Sequence, residues 1–152
     1  MNEIELTKVL ASNEITAPYF RGVVSQDQLN LLPRFENGFY VCNTDDSEGP
    51  GEHWLVVMWF DKMLPTECFD SLAYELNTYD QNITNFLINS GPSYKYSTKR
   101  IQSSRSISCG QFCIFYAYNR CAGYTFEQIL DMFSERNLYI NDIIVNRFVN
   151  NL

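Results

Sequence analysis

The sequence predicts a single α+β domain in which helices pack on a small β-sheet. Its 152 residues match the usual size of one domain. Hydrophobic residues make up 45% of the chain and aromatic residues 15%, enough for a sizeable core and too apolar for disorder. Stretches with helical spacing of apolar residues are interspersed with short runs typical of strands. Because no linker, repeat or low-complexity tract divides the chain, we expect one domain over residues 1–152.

The strand-like runs are short and rich in β-branched and aromatic residues. The run from His53 to Phe60 (HWLVVMWF) is almost continuously apolar, which favours a central strand buried on both faces. The other predicted strands are residues 39–42, 67–70 and 94–98.

Helical patterns account for most of the remaining chain. The longest, residues 71–90, stops at Gly91-Pro92, a strong helix terminator. Thr125 opens another helix, through Met132, with a capping-box pattern. The other predicted helices are residues 3–12, the apolar stretch 109–118, and a final helix that Asn141 or Asp142 could cap.

Composition makes several classes of function improbable. The net charge of −7 offers no broad surface for phosphate backbones, so we expect no strong nucleic-acid binding. The one local group of basic residues, which we read as solvated surface, is Lys95, Lys99, Arg100 and Arg105. With one histidine and five cysteines in no CxxC spacing, the sequence gives little support to a zinc site, although one built from cysteines and carboxylates stays open.

Cellular location also follows as an expectation. We find neither a secretory signal pattern nor an apolar stretch long enough to span a membrane. We therefore expect the five cysteines to be reduced thiols in an intracellular setting.

Cys109 stands where a loop becomes a helix. The free amides and the macrodipole of a helix N-terminus stabilise a thiolate, and Gly110 lets another chain approach the sulfur. The competing interpretation is a buried core thiol, which we accept for Cys113 and Cys121.

His53 is the only imidazole available as a base. Asp70 ends the strand that returns beside it, so both residues lie toward the open end of one hairpin. There Asp70 could accept the second ring N–H of His53, or it could cap a helix that begins near Ser71. Gln102, seven residues before the cysteine, could donate its amide to an oxyanion.

These residues together resemble the adenovirus endopeptidase (adenain) family. The resemblance rests on the order His, acid, Gln, Cys, and it extends over roughly residues 5–120. The segments that carry it are Gly51-Glu52-His53-Trp54, Cys68-Phe69-Asp70-Ser71, Gln102, Ser108-Cys109-Gly110-Gln111-Phe112-Cys113, and upstream Pro18-Tyr19-Phe20-Arg21-Gly22-Val23. The sequence around Cys109 looks most like that of the adenain-like proteases of Polinton/Maverick elements, adintoviruses and related small DNA viruses.

The resemblance implies a fold, a reaction and roles for each residue. The fold is a small mixed sheet packed by helices, with a central helix headed by the nucleophile, as in adenain and ubiquitin-like proteases of the papain-like superfamily. The reaction is cleavage of viral capsid and core precursors during virion maturation. Cys109 would be the nucleophile, His53 the base, Asp70 its orienting acid, and Gln102 with the Cys109 amide the oxyanion hole. Trp54 and Gly110 are candidates for the substrate cleft.

Partners and cofactors follow from the same comparison. We expect a monomer without cofactor or metal, acting in the host nucleus or the virion. Adenovirus enzymes are stimulated by DNA and by a viral peptide tethered through a cysteine. Because Asn89–Ile101 contains no cysteine and the chain is acidic, we expect neither the tether nor DNA stimulation. A non-covalent peptide activator stays open.

Two other interpretations remain. Proteases that remove SUMO and Nedd8 share the order of motifs, and their acid is Asp, as here, where adenovirus enzymes have Glu. Alternatively, the fold could serve as a non-catalytic binding scaffold, which the complete set of catalytic residue types disfavours.

Overall fold

One mixed sheet organises the structure, a computed structural model that describes residues 1–32, 37–61, 63–91 and 93–152. The outer strand pairs are parallel and the inner pairs antiparallel. In spatial order, which is also chain order, the strands are β1 (Phe20–Ser25), β2 (Gly38–Asn43), β3 (Trp54–Trp59), β4 (Thr66–Phe69) and β5 (Tyr94–Tyr96). The predicted α+β class is confirmed.

The central strand β3 is buried on both faces, as its apolar run predicts. Its side chains alternate, so Val56 and Met58 enter one hydrophobic core while Leu55 and Val57 enter the other. The first core is shared with most of the helices, and the second with one helix. The helices are α1 (Glu3–Ser12), α2 (Gln81–Asn89), α3 (Cys109–Cys121), α4 (Phe126–Asp131) and α5 (Leu138–Asn150).

Helix α1 has the predicted bounds, because a capping box defines its start. Asn2 accepts from the amide of Glu5, whose side chain accepts in turn from the amide of Asn2. Leu6 and Leu10 then anchor the helix in the first core. The capping box predicted at Thr125 is present as well, at the start of α4.

The helix predicted over residues 71–90 is wrong in its first half. The α2 helix begins only at Gln81, where the side chain of Asp80 caps the amide of Asn82. Before it, Ala73 has a positive φ of 50°, and residues 76–78 form a single 3₁₀ turn. The side chain of Asp70 does accept from the amide of Leu72, but no α-helix begins at Ser71 or Leu72. Pro92, part of the predicted stop, lies outside the described residues.

The cap predicted for the last helix is also wrong. Asn137 is the N-cap of α5, accepting from the amide of Ile140. Asn141 and Asp142 lie inside the helix, and their side chains reach back to the segment before α3. Strand β1 was not predicted, because Arg21 and Gly22 interrupt its apolar pattern, and its parallel pairing with β2 is a long-range contact. None of the described helices is long and apolar enough to cross a membrane.

Candidate active site

The sheet brings His53 and Asp70 into direct contact. His53 immediately precedes β3 and Asp70 immediately follows β4, so the antiparallel pairing of these strands puts both residues at one end. The Nε2 atom of His53 lies 2.7 Å from Oδ1 of Asp70. His53 is 7% exposed and Asp70 is fully buried. The contact therefore forms away from bulk water, where electrostatic interactions are strong.

Four groups hydrogen-bond to the carboxylate of Asp70. Its Oδ1 atom contacts His53 and accepts from the amide of Leu72 at 2.9 Å. Its Oδ2 atom accepts from the hydroxyls of Tyr79 and Tyr96, each at 2.7 Å. Burial raises the pKa of Asp70, but the contact with His53 and the two tyrosine hydroxyls outweigh it and lower the pKa below the usual range. The carboxylate is therefore held ionised. Sequence reasoning missed both tyrosines.

Cys109 is the first residue of α3 and is partly exposed. The side chain of Ser108 makes no capping bond to the first turn of α3, so it does not compete with the thiol for the free amides of that turn. Burial raises the pKa of Cys109, but hydrogen bonding and charge from His53, with the backbone of Trp54 and Gly110, lower it overall. Burial lowers the pKa of His53, and its bonds to Asp70 and Cys109 more than reverse this, raising the pKa to about 9. The two groups thus favour a thiolate–imidazolium pair.

The other four cysteines have the opposite electrostatic setting. Burial raises the pKa of Cys42 and of Cys121 to about 12, and it raises the pKa values of Cys68 and Cys113 as well. Cys113 lies in the first core. Only Cys109 combines partial exposure with a lowered pKa.

The amide of Gln102 is held in a fixed orientation. Its Oε1 atom accepts from the hydroxyl of Ser71 at 2.6 Å, and its Nε2 atom donates to the carbonyl of Ser106 at 3.1 Å. The side chain is nearly buried, with 2% exposure. An amide nitrogen carries two N–H bonds, and the second of Gln102 has no acceptor among the described residues.

A cleft of about 600 Å³ joins these side chains. His53, Gln102, Cys109 and Trp54 line it, as do the Gly/Pro-rich loop before β3 and the first residues of the chain. Gly110 does not line it. A Cβ added to Gly110 would lie 3.0 Å from the Cβ of Met1, so the glycine admits Met1 rather than a ligand. The indole of Trp54 donates to the carbonyl of Met1 at 3.1 Å.

Of the four basic residues before α3, Lys95, Lys99 and Arg100 make contacts within the protein, whereas Arg105 is exposed. Lys95 pairs with Glu127 at 2.6 Å, and Lys99 donates to the carbonyls of Leu130 and Phe133. No group of three or more metal-ligating side chains comes together among the described residues.

Comparisons with known proteins address the fold. No protein-family model matches this sequence, and a search of curated proteins finds no match. Two crystal structures of the ASFV pS273R protease are similar. The first has a TM-score of 0.60 and 14% sequence identity and covers 95% of this chain. The second, which contains selenomethionine, has a TM-score of 0.50 and 18% sequence identity and covers 74% of this chain. This chain spans 65% and 44% of those chains.

At such identities the likeness concerns the fold alone. It confirms the predicted fold class, a mixed sheet packed by helices with Cys109 at the head of the central helix. This chain therefore shares its fold with the ASFV pS273R protease.

Proposed function

We propose that this chain is a viral cysteine endopeptidase of the adenain type, which cleaves capsid and core precursor proteins during virion maturation. The observation that carries the proposal is the continuous series Asp70–His53–Cys109, buried at one end and open to the cleft at the other. A thiol, an imidazole and a carboxylate in this order are the parts of a nucleophile, its base and an orienting group.

The reaction follows from these contacts. The Cys109 thiolate attacks the carbonyl carbon of the scissile peptide bond, and the electron pair of the carbonyl moves to oxygen. The tetrahedral intermediate collapses to a thioester as the C–N bond breaks, and His53 gives its proton to the leaving amine. Water then attacks the thioester carbon while His53 accepts one of its protons, and the C–S bond breaks to release the carboxylic acid product and restore the Cys109 thiolate. Asp70 stabilises the imidazolium form of His53 before the amine leaves and again after water attacks, since Nε2 of the ring contacts this carboxylate.

Gln102 supplies the electrophilic half of the site in this proposal. Its free N–H and the backbone N–H of Cys109 would donate to the oxygen that becomes negative in the tetrahedral intermediate. The bonds from Ser71 and to Ser106 fix the amide before substrate binds, so no reorganisation is needed during the reaction.

The test is cleavage of the capsid and core precursors encoded beside this chain. We expect the purified protein to cut them at defined sites and Cys109→Ala to leave them intact. Parallel reactions with added DNA or with peptides from the same precursors ask whether an activator is required; the proposal expects no DNA stimulation. Full cleavage by Cys109→Ala would remove Cys109 as the nucleophile, and no cleavage under any of these conditions would contradict the proposal.

A deconjugating protease for SUMO or ubiquitin-like proteins is the second candidate. The observation that favours it is the acid itself, Asp70, the residue type that such proteases use. A panel of SUMO, Nedd8 and ubiquitin fusions separates the two candidates. Efficient cleavage after the Gly-Gly tail of a modifier, with intact capsid precursors, would replace the first proposal by the second.

A further inference from the structure

Three polar side chains of α5 hold the segment that joins Gln102 to Cys109. Residues 103–108 of this segment form no helix or strand, and Ser104, Arg105 and Ile107 are exposed. The three contacts run from Asn141 Nδ2 to the carbonyl of Ile101 (2.9 Å), from Ser103 Oγ to Asp142 Oδ2 (2.5 Å), and from Asn146 Nδ2 to Ser108 Oγ (2.8 Å).

The positions of these contacts relate directly to the cleft. Ile101 and Ser103 are the two chain neighbours of Gln102, and Ser108 is the residue before Cys109. One helix therefore holds both ends of the loop that separates the side-chain amide of Gln102 from the sulfur of Cys109.

Helix α5 is itself anchored in the hydrophobic core. Val145 is fully buried in the first core, which α5 shares with α3. Asn141 is also fully buried and uses both ends of its amide, donating to Ile101 and Ser134 and accepting from the amide of Ser134. A loop attached to this helix is fixed relative to α3, and thus to Cys109.

Asp142 has one buried oxygen atom without a hydrogen-bond partner among the described residues. The residue is only 8% exposed, and the atom without a partner is Oδ1. A buried polar atom without a partner is unfavourable, so its bond to Ser103 is poorly explained as a device for stability. Placement of the residue after Gln102 explains it better.

We propose that Asp142 and Asn146 are positioning residues, which set the separation between the Gln102 amide and Cys109 by holding Ser103 and Ser108. The inference rests on the proposed function, because it assigns them to the oxyanion hole of that reaction. Neither residue touches the cleft that contains Cys109. They act through the loop, so the loss of either changes the separation between the Gln102 amide and Cys109 without removing a contact to the thiolate.

The experiment compares Asp142→Ala and Asn146→Ala with Asp142→Asn, which keeps an acceptor for Ser103. Asn151→Ala is the control, since among the described residues the side-chain amide of this C-cap residue bonds only to the carbonyl of Arg147 in α5. Each protein is assayed for peptide cleavage at a temperature at which all variants are folded. Its Tm and the alkylation rate of Cys109 by iodoacetamide are also measured.

A peptide aldehyde provides a readout of the oxyanion hole that needs no turnover. The Cys109 thiolate bonds to the aldehyde carbon while the aldehyde oxygen takes the proton of the His53 imidazolium, and the new hydroxyl occupies the oxyanion position. Its affinity therefore reports donation by Gln102, whereas alkylation by iodoacetamide reports only the thiolate.

We expect Asp142→Ala and Asn146→Ala each to lower kcat about 10-fold, with KM within about 2-fold, as for a small misplacement of a donor. Aldehyde affinity falls in the same proportion and the alkylation rate stays unchanged. Asp142→Asn and Asn151→Ala retain wild-type kcat. Ser103→Ala lowers kcat as much as Asp142→Ala does. The double variant with both substitutions has a kcat no lower than that of either single variant.

Several results would overturn the inference. A lower Tm with unchanged kcat and aldehyde affinity would make Asp142 and Asn146 merely structural, and a slower alkylation of Cys109 would place their effect on the thiolate. A wild-type protein that is alkylated at Cys109 but neither cleaves peptides nor binds the aldehyde would refute the proposed function and this inference with it.

Discussion

The hydroxyl of Tyr96 donates a 2.7 Å hydrogen bond to Oδ2 of Asp70, the carboxylate oxygen that does not contact His53. Tyr79 donates to the same oxygen, and its ring stacks near that of His53 with centroids 6.3 Å apart. Hydrogen bonds to both carboxylate oxygens therefore hold Asp70 in place beside His53.

Removing these hydroxyls should weaken the hold on Asp70. A hydrogen bond to a charged group contributes about 1.5–3 kcal/mol, so Tyr79→Phe and Tyr96→Phe should each lower kcat/KM, and the double variant should lower it further. The exposed Tyr124 provides the control Tyr124→Phe. Wild-type kcat/KM in the double variant would show that Asp70 needs neither tyrosine.

The pH dependence of kcat/KM should be bell-shaped. Below the lowered pKa of Cys109 the thiol is protonated and cannot attack, and above a pH of about 9 His53 loses the proton that the leaving amine requires. The two limbs belong to the pair rather than to either residue.

Asp70→Asn tests the origin of the alkaline limb. Asp70 favours the charged form of His53, so its neutral replacement should move the alkaline limb to lower pH. The exposed Asp131 gives the control Asp131→Asn, for which no movement is expected. If Asp70→Asn left the alkaline limb unchanged, that limb would not report the ionisation of His53.

Iodoacetamide at mildly acidic pH should label Cys109 before the other cysteines. Cys121 is the matched comparison, since it is also partly exposed but has a pKa raised to about 12 by burial. Mass spectrometry of the labelled protein gives both rates. His53→Ala should remove the advantage of Cys109, because the imidazolium supports the thiolate. Equal labelling of Cys109 and Cys121 in the wild type would contradict an activated thiolate.

Gln102→Ala should lower kcat about 10²–10³-fold with little change in KM, the expected effect of losing one oxyanion donor. Because the variant also loses its bonds with Ser71 and Ser106, its Tm must be measured beside its kinetics. The exposed Gln81 supplies the control Gln81→Ala. An unchanged kcat would remove Gln102 from the oxyanion hole.

A buried ion pair outside the cleft should matter for stability. Glu67 is buried and accepts from Nε and Nη2 of Arg120 and from the hydroxyl of Tyr116. Arg120→Ala leaves this carboxylate without its counterion, at a cost of about 3–5 kcal/mol in the free energy of unfolding. Lys95→Ala, which breaks the exposed pair with Glu127, should cost less than about 1 kcal/mol. Urea denaturation measures both, and equal costs would contradict the difference in burial.

Local features of the sequence were sufficient for much of the secondary structure. The capping boxes at Asn2 and Thr125 and the apolar run of β3 involve neighbours in the chain, so their pattern is readable directly. The position of Cys109 at the start of α3 is of the same kind, since the Ser-rich loop before it and the apolar helix after it define the boundary.

The sequence by itself determined the candidate residues, because one histidine left one choice of base and the order of motifs resembles a known family. Only the tertiary structure decided how they are supported. The chain between Asp70 and Tyr79 leaves the helical pattern where Asp70 holds the amide of Leu72. Such contacts, like those of α5 with the loop before Cys109, join residues distant in sequence, and their free energy outweighs local helix propensity. A local sequence pattern does not predict such long-range contacts.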